Sequence, residues 1–217
     1  MTAARSGSPR AGPPTVTTTD GRRVFPCFPA AVVVFIINDR EEFLLLHHPQ
    51  RAGWEVVNGG LDAGLTILEG ALKETREEAG PQVRVRPVGV VHASSFHYDE
   101  NVRFMLSISY VMAYEGGPIE PGDDMAGSRF AWFGLAELES GKVPLVVPTT
   151  GPWLFRRAVE VFRLWRDRRD DPLQRDLTTV VPNKYLIRRD RHDPGAGLPS
   201  SPSPPPSARR RRSPPAS

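Results

Sequence analysis

Lys73-Glu74-Thr75-Arg76-Glu77-Glu78-Ala79-Gly80 places three carboxylates within five residues. Successive residues of an α-helix step by about 100°, so Glu74, Glu77 and Glu78 fall on one helix face within about 100° of arc. Like charges that close repel and destabilise an isolated helix. A cation held between them removes that cost, and an oxygen-only donor set suits Mg2+ or Mn2+. The competing reading is a solvated acidic helix with one apolar face, because charge runs commonly do no more than face water.

The bounds of this helix are legible. Thr66 followed by Glu69 fits a capping box, with Thr66 as N-cap and Glu69 at the third helical position. Gly80 fits the left-handed position just past the C-terminus, and Pro81 cannot continue the helix. Leu68, Ala71, Leu72, Thr75 and Ala79 occupy the stripe beside or opposite the carboxylates and are expected to face the core. Glu69 and Lys73 are spaced to pair at i, i+4.

Upstream, Trp54-Glu55-Val56-Val57 reads as a strand, and Asn58-Gly59-Gly60 as a tight turn at its end, where glycine permits a close backbone approach. Strand, glycine pair, short loop and carboxylate helix together resemble the Nudix hydrolase (MutT-like) family, whose signature is G-x5-E-x7-R-E-U-x-E-E-x-G-U, with U bulky and aliphatic. Glu74, Glu77, Glu78 and Gly80 match it directly. Lys73 stands for the signature arginine, Thr75 for the first U and Pro81 for the last. Counting back from Gly80 puts Gly59 at the first signature glycine; if Gly60 is aligned there instead, the loop is one residue short. The loop glutamate is missing in either register: Leu65 follows Gly64 where it is expected, and Asn58 replaces the usual proline before the glycine pair. In the family that glutamate braces the loop against the arginine. Both partners differ here, so Lys73 with Glu69, or Lys73 with Asp62, is the candidate brace.

The resemblance implies an α/β/α sandwich around a mixed β-sheet, and hydrolysis of a nucleoside diphosphate linked to another moiety. It implies Glu77, Glu78 and the carbonyl of Gly59 as ligands of Mg2+ or Mn2+, Glu74 as a ligand or the general base, and Lys73 as the residue that orients a glutamate or the loop. Many relatives add an acidic residue from a later loop. Of Glu115, Glu120, Asp123 and Asp124, all before Trp132, Glu120 or Asp124 is the candidate at the substrate. Trp54, Phe96 and Tyr98 are candidates for stacking on a base. Tyr98 lies 18 residues past Gly80, a spacing similar to that of dinucleoside-polyphosphate members, though ordinary packing explains a tyrosine at a strand end as well. The altered loop leaves a second class open, a Nudix-fold module that senses a nucleotide without cleaving it. The retained carboxylates favour the enzyme.

The flanking sequence agrees with such a domain. Ala30 to Ile37 is a continuous apolar run suited to a buried strand and too short to span a membrane. Phe43 to Leu46 pairs with it as a hairpin around Asn38 to Glu42. Val83 to Arg86 alternates, and Val88 to Phe96 and Arg103 to Tyr114 read as two further strands. Phe130 to Phe133 reads as a short strand, followed by a small helix near Leu135 to Ser140. A longer helix is expected over residues 148 to 169, with Trp153, Leu154, Ala158, Val161, Phe162 and Trp165 on its packing side.

Composition divides the chain into residues 1–22 (loose, without a secretory h-region), 23–187 (the domain) and 188–217 (a Pro/Ser/Arg-rich tail unable to bury a core). From Arg188 onward seven arginines face Asp190 and Asp193, so the tail carries +5 and the rest of the +3 chain about −2. The basic character therefore belongs to the tail, where Arg209 to Arg212 would bring only salt-sensitive attraction to nucleic acid. A single Cys27 excludes an intramolecular disulfide, and the histidines lack zinc spacing. No Walker loop or GxGxxG is present. The expectation is a cytoplasmic enzyme of a nucleotide-derived small molecule with no membrane partner; many relatives pair as homodimers, which leaves that state open here without a sequence feature that marks an interface.

Overall fold

The computed structural model describes residues 14–18, 20–146 and 151–168. The tail expected over 188–217, the domain end to 187 and most of the first 22 residues lie outside them.

Strand β3 (Ala30–Ile37) is the axis of the sheet. Its period of two sends Val33, Phe35 and Ile37 to one face and Val32, Val34 and Ile36 to the other, and each set is buried in its own core. Both faces are therefore covered, which is why the run is apolar throughout. On one edge β3 pairs in parallel with β7 (Met105–Gly116) along its full length. On the other it meets β4 (Glu42–His47) at the hairpin end and β5 (Val57–Gly60) at its start. β6 (Arg84–Phe96) extends the sheet beyond β7, and β8 (Arg129–Gly134) extends it beyond β4. Helix α1 (Ile67–Glu74) packs on the face of Val32, Val34 and Ile36, contributing Ala71. Helices α2 (Leu135–Glu139) and α3 (Pro152–Trp165) pack on the face of Phe35, contributing Leu138, Phe155 and Phe162. The result is an α/β/α sandwich with a mixed sheet.

Several elements differ from the sequence reading. Asn58-Gly59-Gly60 is not a turn but the body of β5, in register with Ala31, Val32 and Val33 of β3. Trp54 and Glu55 make only single bridges, to Leu145 and Leu46. β6 is one strand rather than two; Pro87 lacks the N–H a ladder needs, and the register shifts between Pro87 and Gly89 instead of the strand ending. The long helix is shorter, 152–165, with residues 148–150 and 169 outside the described set. β1 (Thr15–Thr17), in the segment read as loose, pairs with β2 (Val24–Pro26) just past it. The cause is local: Asp20-Gly21 closes a tight turn with Gly21 at φ 68°, and Thr18 N–H donates to the Arg23 carbonyl at 2.9 Å. Among the described residues no helix is long and apolar enough to cross a membrane.

Phe155 locks the α3 face. It is fully buried, edge-on to Phe43 at 4.9 Å and to Phe35 at 5.2 Å. Phe155→Ala is expected to destabilise the protein by about 3–5 kcal/mol, read as a lower denaturant midpoint at unchanged m-value; a loss below about 1 kcal/mol would contradict this packing.

Candidate active site

The acidic helix is capped as its sequence implies. Glu69 N–H donates to Thr66 Oγ1 at 3.2 Å, and Thr66 N–H donates to Glu69 Oε2 at 2.8 Å. This use of the Glu69 carboxylate takes it away from the expected pair with Lys73. Lys73 turns instead to Asp62, with Nζ 3.3 Å from its carboxylate, donates to Glu77, and lies 3.9 Å from Glu74. Of the two candidate braces, the loop carboxylate Asp62 is the one formed.

Past Glu74 the helix widens into a π-turn, Thr75–Ala79, with Thr75 Oγ1 donating to the Ala71 carbonyl at 2.8 Å. Such turns recur at functional sites. Here the turn carries both remaining signature carboxylates: Glu77 is half-buried beside Lys73, whereas Glu78 is 2% exposed and accepts the Asn58 N–H at 2.9 Å. Gly80 is not left-handed as expected; it sits at φ 127°, ψ 145°. The chain leaves the helix directly against the next loop, where Glu120 N–H donates to the Ala79 carbonyl at 2.9 Å. A Cβ on Gly80 would lie 2.9 Å from Glu120 N, so glycine serves both the dihedral and the close approach. This contact fastens the segment from Glu120 to the short 3-10 turn Asp123–Met125 onto the helix end.

The register of the glycine pair is decided by contact. A Cβ on Gly59 would collide with the Glu74 carboxylate, whereas one on Gly60 would meet nothing. Gly59 therefore occupies the position where a carboxylate must rest on bare backbone.

Beside this joint a cleft of about 520 Å3 is lined by Asn58, Gly59, Gly60, Phe96, Tyr98, Asp124, Arg51 and their neighbours. Of the residues expected at the substrate, Phe96, Tyr98 and Asp124 line it. Glu120 meets the helix end through its backbone and is not among the lining residues. Trp54 does not line it either: its ring packs against Phe133 at 5.0 Å and His47 at 5.2 Å, beside the α3-side core. Alternation is the reason, since Trp54 shares its face with Val56 of that core, and Val57 belongs to the other. Glu115, weighed earlier as an alternative, pairs with Arg86 at 3.0 Å.

The same alternation turns Glu55 toward the carboxylates, a residue not anticipated as part of the site. It is 4% exposed and accepts from Arg51 Nη1 at 2.6 Å. A lone carboxylate in an otherwise apolar stretch was the available signal, because a buried charge requires a partner.

Burial dominates the electrostatics. It lifts the Glu78 carboxyl to about 9, reinforced by Asp124, Glu74 and Glu55 and opposed by the Asn58 N–H. Burial also raises Glu74; Lys73 opposes this, while Glu77, Asp124 and Asp62 add to it. Lys73 is raised in turn, chiefly by its hydrogen bond to Glu77. The donor set is all oxygen and its negative charge is incompletely offset, which fits a hard divalent cation. Among the described residues no three His, Cys, Asp or Glu side chains are gathered closely enough to hold a metal ion as they stand. Lys73 takes up Glu77, and Arg51 engages Glu55 and Asp124.

Comparison with known proteins places this geometry in context. A NUDIX domain model matches residues 28–156. The NAD-capped RNA hydrolase NudC of Vibrio parahaemolyticus serotype O3:K6 (strain RIMD 2210633) is 27% identical over 133 residues, 58% of this chain and 43% of that protein. The chain thus spans less than half the length of this curated relative. Among solved structures, an ADP-ribose pyrophosphatase from Streptococcus suis 89-1591 is similar with a TM-score of 0.50 at 17% identity, covering 67% of this chain and 96% of that one. A UDP-X diphosphatase is similar with a TM-score of 0.51 at 14% identity, covering 64% of each chain. At such identities these two structures speak for the fold alone.

The raised Glu78 carboxyl is expected to contribute to the pH dependence of the metal-free protein, with Glu74 raised in the same direction. A group whose folded pKa lies above its unfolded value binds more protons when folded, so stability is full below the ordinary carboxylate range and declines as pH rises toward about 9. In chelator, unfolding free energy is expected to fall by up to about 1.4 kcal/mol per pH unit between about pH 5 and pH 9. Glu78→Gln is expected to flatten that slope; an equal slope in the variant would show that Glu78 is not its source.

Proposed function

This chain belongs to the NUDIX domain family, and on that premise we propose that it hydrolyses a pyrophosphate bond in a nucleoside diphosphate linked to another moiety, using Mg2+ or Mn2+. The observation that carries the reading is the Glu74 carboxylate seated on Gly59 with Glu78 buried behind Asn58, at the edge of a cleft large enough for a nucleotide.

Glu77, Glu78 and the Gly59 carbonyl would hold the metal, with Glu74 as a further ligand or the general base. The bound cation supplies charge neutralisation at phosphoryl oxygens and activation of water. Everything else falls to the chain's own groups. Glu78, held by the Asn58 N–H, keeps a carboxyl oxygen fixed inside the site, and a bound cation would favour its ionised form. Lys73 orients Glu74 and Glu77 and is itself held by Asp62. Phe96 and Tyr98 offer aromatic faces to a base on the cleft wall. Asp124, rather than Glu120, is the acidic residue from the later loop that reaches this cleft.

Support comes from several sides. The Asp62–Lys73 pair does the bracing for which Leu65 and Lys73 lack the usual partners, which weakens the case for a non-cleaving sensor. The curated relative is named as a hydrolase of NAD-capped RNA, which supports a pyrophosphate-linked nucleotide as the substrate class.

Purified full-length protein with Mg2+ or Mn2+ should be offered ADP-ribose, dinucleoside polyphosphates, nucleotide sugars, nucleoside triphosphates and NAD-capped RNA, with products read by chromatography and mass spectrometry. Cleavage at a pyrophosphate bond is expected, reduced on the order of 100-fold or more in Glu77→Gln and Glu74→Gln. Tight binding of a nucleotide with no turnover of any compound would replace the enzyme by the sensor.

A further inference from the structure

The cleft holds one charged side chain to which the reading above gives no role. Among the described residues lining it, Arg51 is the only cation. Its Nη1 donates to Glu55 Oε1 at 2.6 Å, and its Nη2 lies 3.4 Å from Asp124 Oδ2. These contacts are unequal. Glu55 is 4% exposed, so losing its partner would strand a buried charge. The Asp124 side chain is 61% exposed and its contact is long, and an exposed pair of this kind contributes little. The short bond to Glu55 engages Nη1 of the planar guanidinium, and Nη2 is directed at Asp124, which lines the cleft with Arg51. An arginine fork matches phosphoryl oxygens as well as it matches carboxylate. Lys73 cannot take this part, being engaged by Asp62, Glu74 and Glu77.

We propose that Arg51, anchored by Glu55, grips a phosphoryl group of the substrate through Nη2, and that Asp124 occupies that position until the phosphate displaces it. This rests on the pyrophosphohydrolase reading and names a recognition residue for it. Arg51 and Asp124 then act as one exchange unit: the protein trades a weak surface pair for a charge-assisted contact to the ligand. The site selects dianionic phosphate over neutral groups, because only an anion can displace Asp124.

The test is calorimetric binding of inorganic pyrophosphate with Mg2+ to the full chain, comparing wild type, Arg51→Gln, Asp124→Asn and the double variant Arg51→Gln/Asp124→Asn. Arg51→Gln is expected to weaken binding by about tenfold or more. Asp124→Asn is expected to tighten it several-fold in the wild type and not in the Arg51→Gln background. General repulsion by Asp124 would tighten binding equally in both, and that result overturns the exchange. Arg51→Gln/Glu55→Gln removes both members of the buried pair, so the test stands even if Arg51→Gln alone unfolds. Wild-type affinity in that variant, or no pyrophosphate binding by the wild type, overturns the proposal. Turnover of the nucleotide panel separates the two readings. If Glu77→Gln abolishes turnover while Arg51→Gln binds normally, the grip falls and the hydrolase stands; pyrophosphate binding lost in Arg51→Gln without any turnover leaves the grip and removes the hydrolase.

Discussion

The joint between the π-turn and β5 is the constraint on which the rest of the structure depends. Glu78 is buried as a carboxyl against the Asn58 N–H, and Glu74 rests on the bare Cα of Gly59. Burying such polar groups costs free energy unless each is hydrogen-bonded or neutralised. A fully buried large aliphatic or aromatic side chain contributes about 1.5–3 kcal/mol. The joint therefore persists only because α1 and the strands beneath it bury a shared core, with Val34, Ile36, Leu44, Leu46 and Met125 fully or almost fully enclosed. Stability on one side of the sheet is set against strain from charge at its edge.

Two cations bracket that charge, and they differ in kind. Lys73 arises from the helix itself and is surrounded by three carboxylates, so it organises the site from within. Arg51 arises from the loop after β4 and reaches toward the 3-10 turn, joining segments more than seventy residues apart in the chain. The first arrangement follows from helical spacing and a nearby loop acid. The second exists only because β4, β5 and the 120s segment converge at one end of the sheet.

The start of the acidic helix and the run of its carboxylates were legible because their signals, a capping box and a spacing, are local, whereas the π-turn that carries Glu77 and Glu78 was not. The strands were legible where apolar runs are continuous, as in Ala30–Ile37. The misreadings share a cause. Asn58-Gly59-Gly60 has turn composition, yet the free edge of β3 makes it a strand. Gly80 has the composition of a left-handed cap, yet the backbone of Glu120 pulls it to a different conformation. Trp54 was a candidate for base stacking by residue type, but strand alternation faces it toward the opposite core. For the glycines a partner distant in sequence overrode a local preference, and for Trp54 the side of the sheet that each core occupies decided the outcome.

The sequence by itself carried the order of the main elements, the spacing of the three carboxylates and, through them, the resemblance to the family, because these are laid out along the chain. Only the tertiary structure decided which glycine meets Glu74, which acid braces Lys73, which later aspartate reaches the cleft, and that Glu55 and Arg51 belong beside them. Those are questions of distance and burial between separate segments. Their answers come from how the two faces of β3 are packed, and that packing places groups together without leaving a period or spacing in the sequence to announce it.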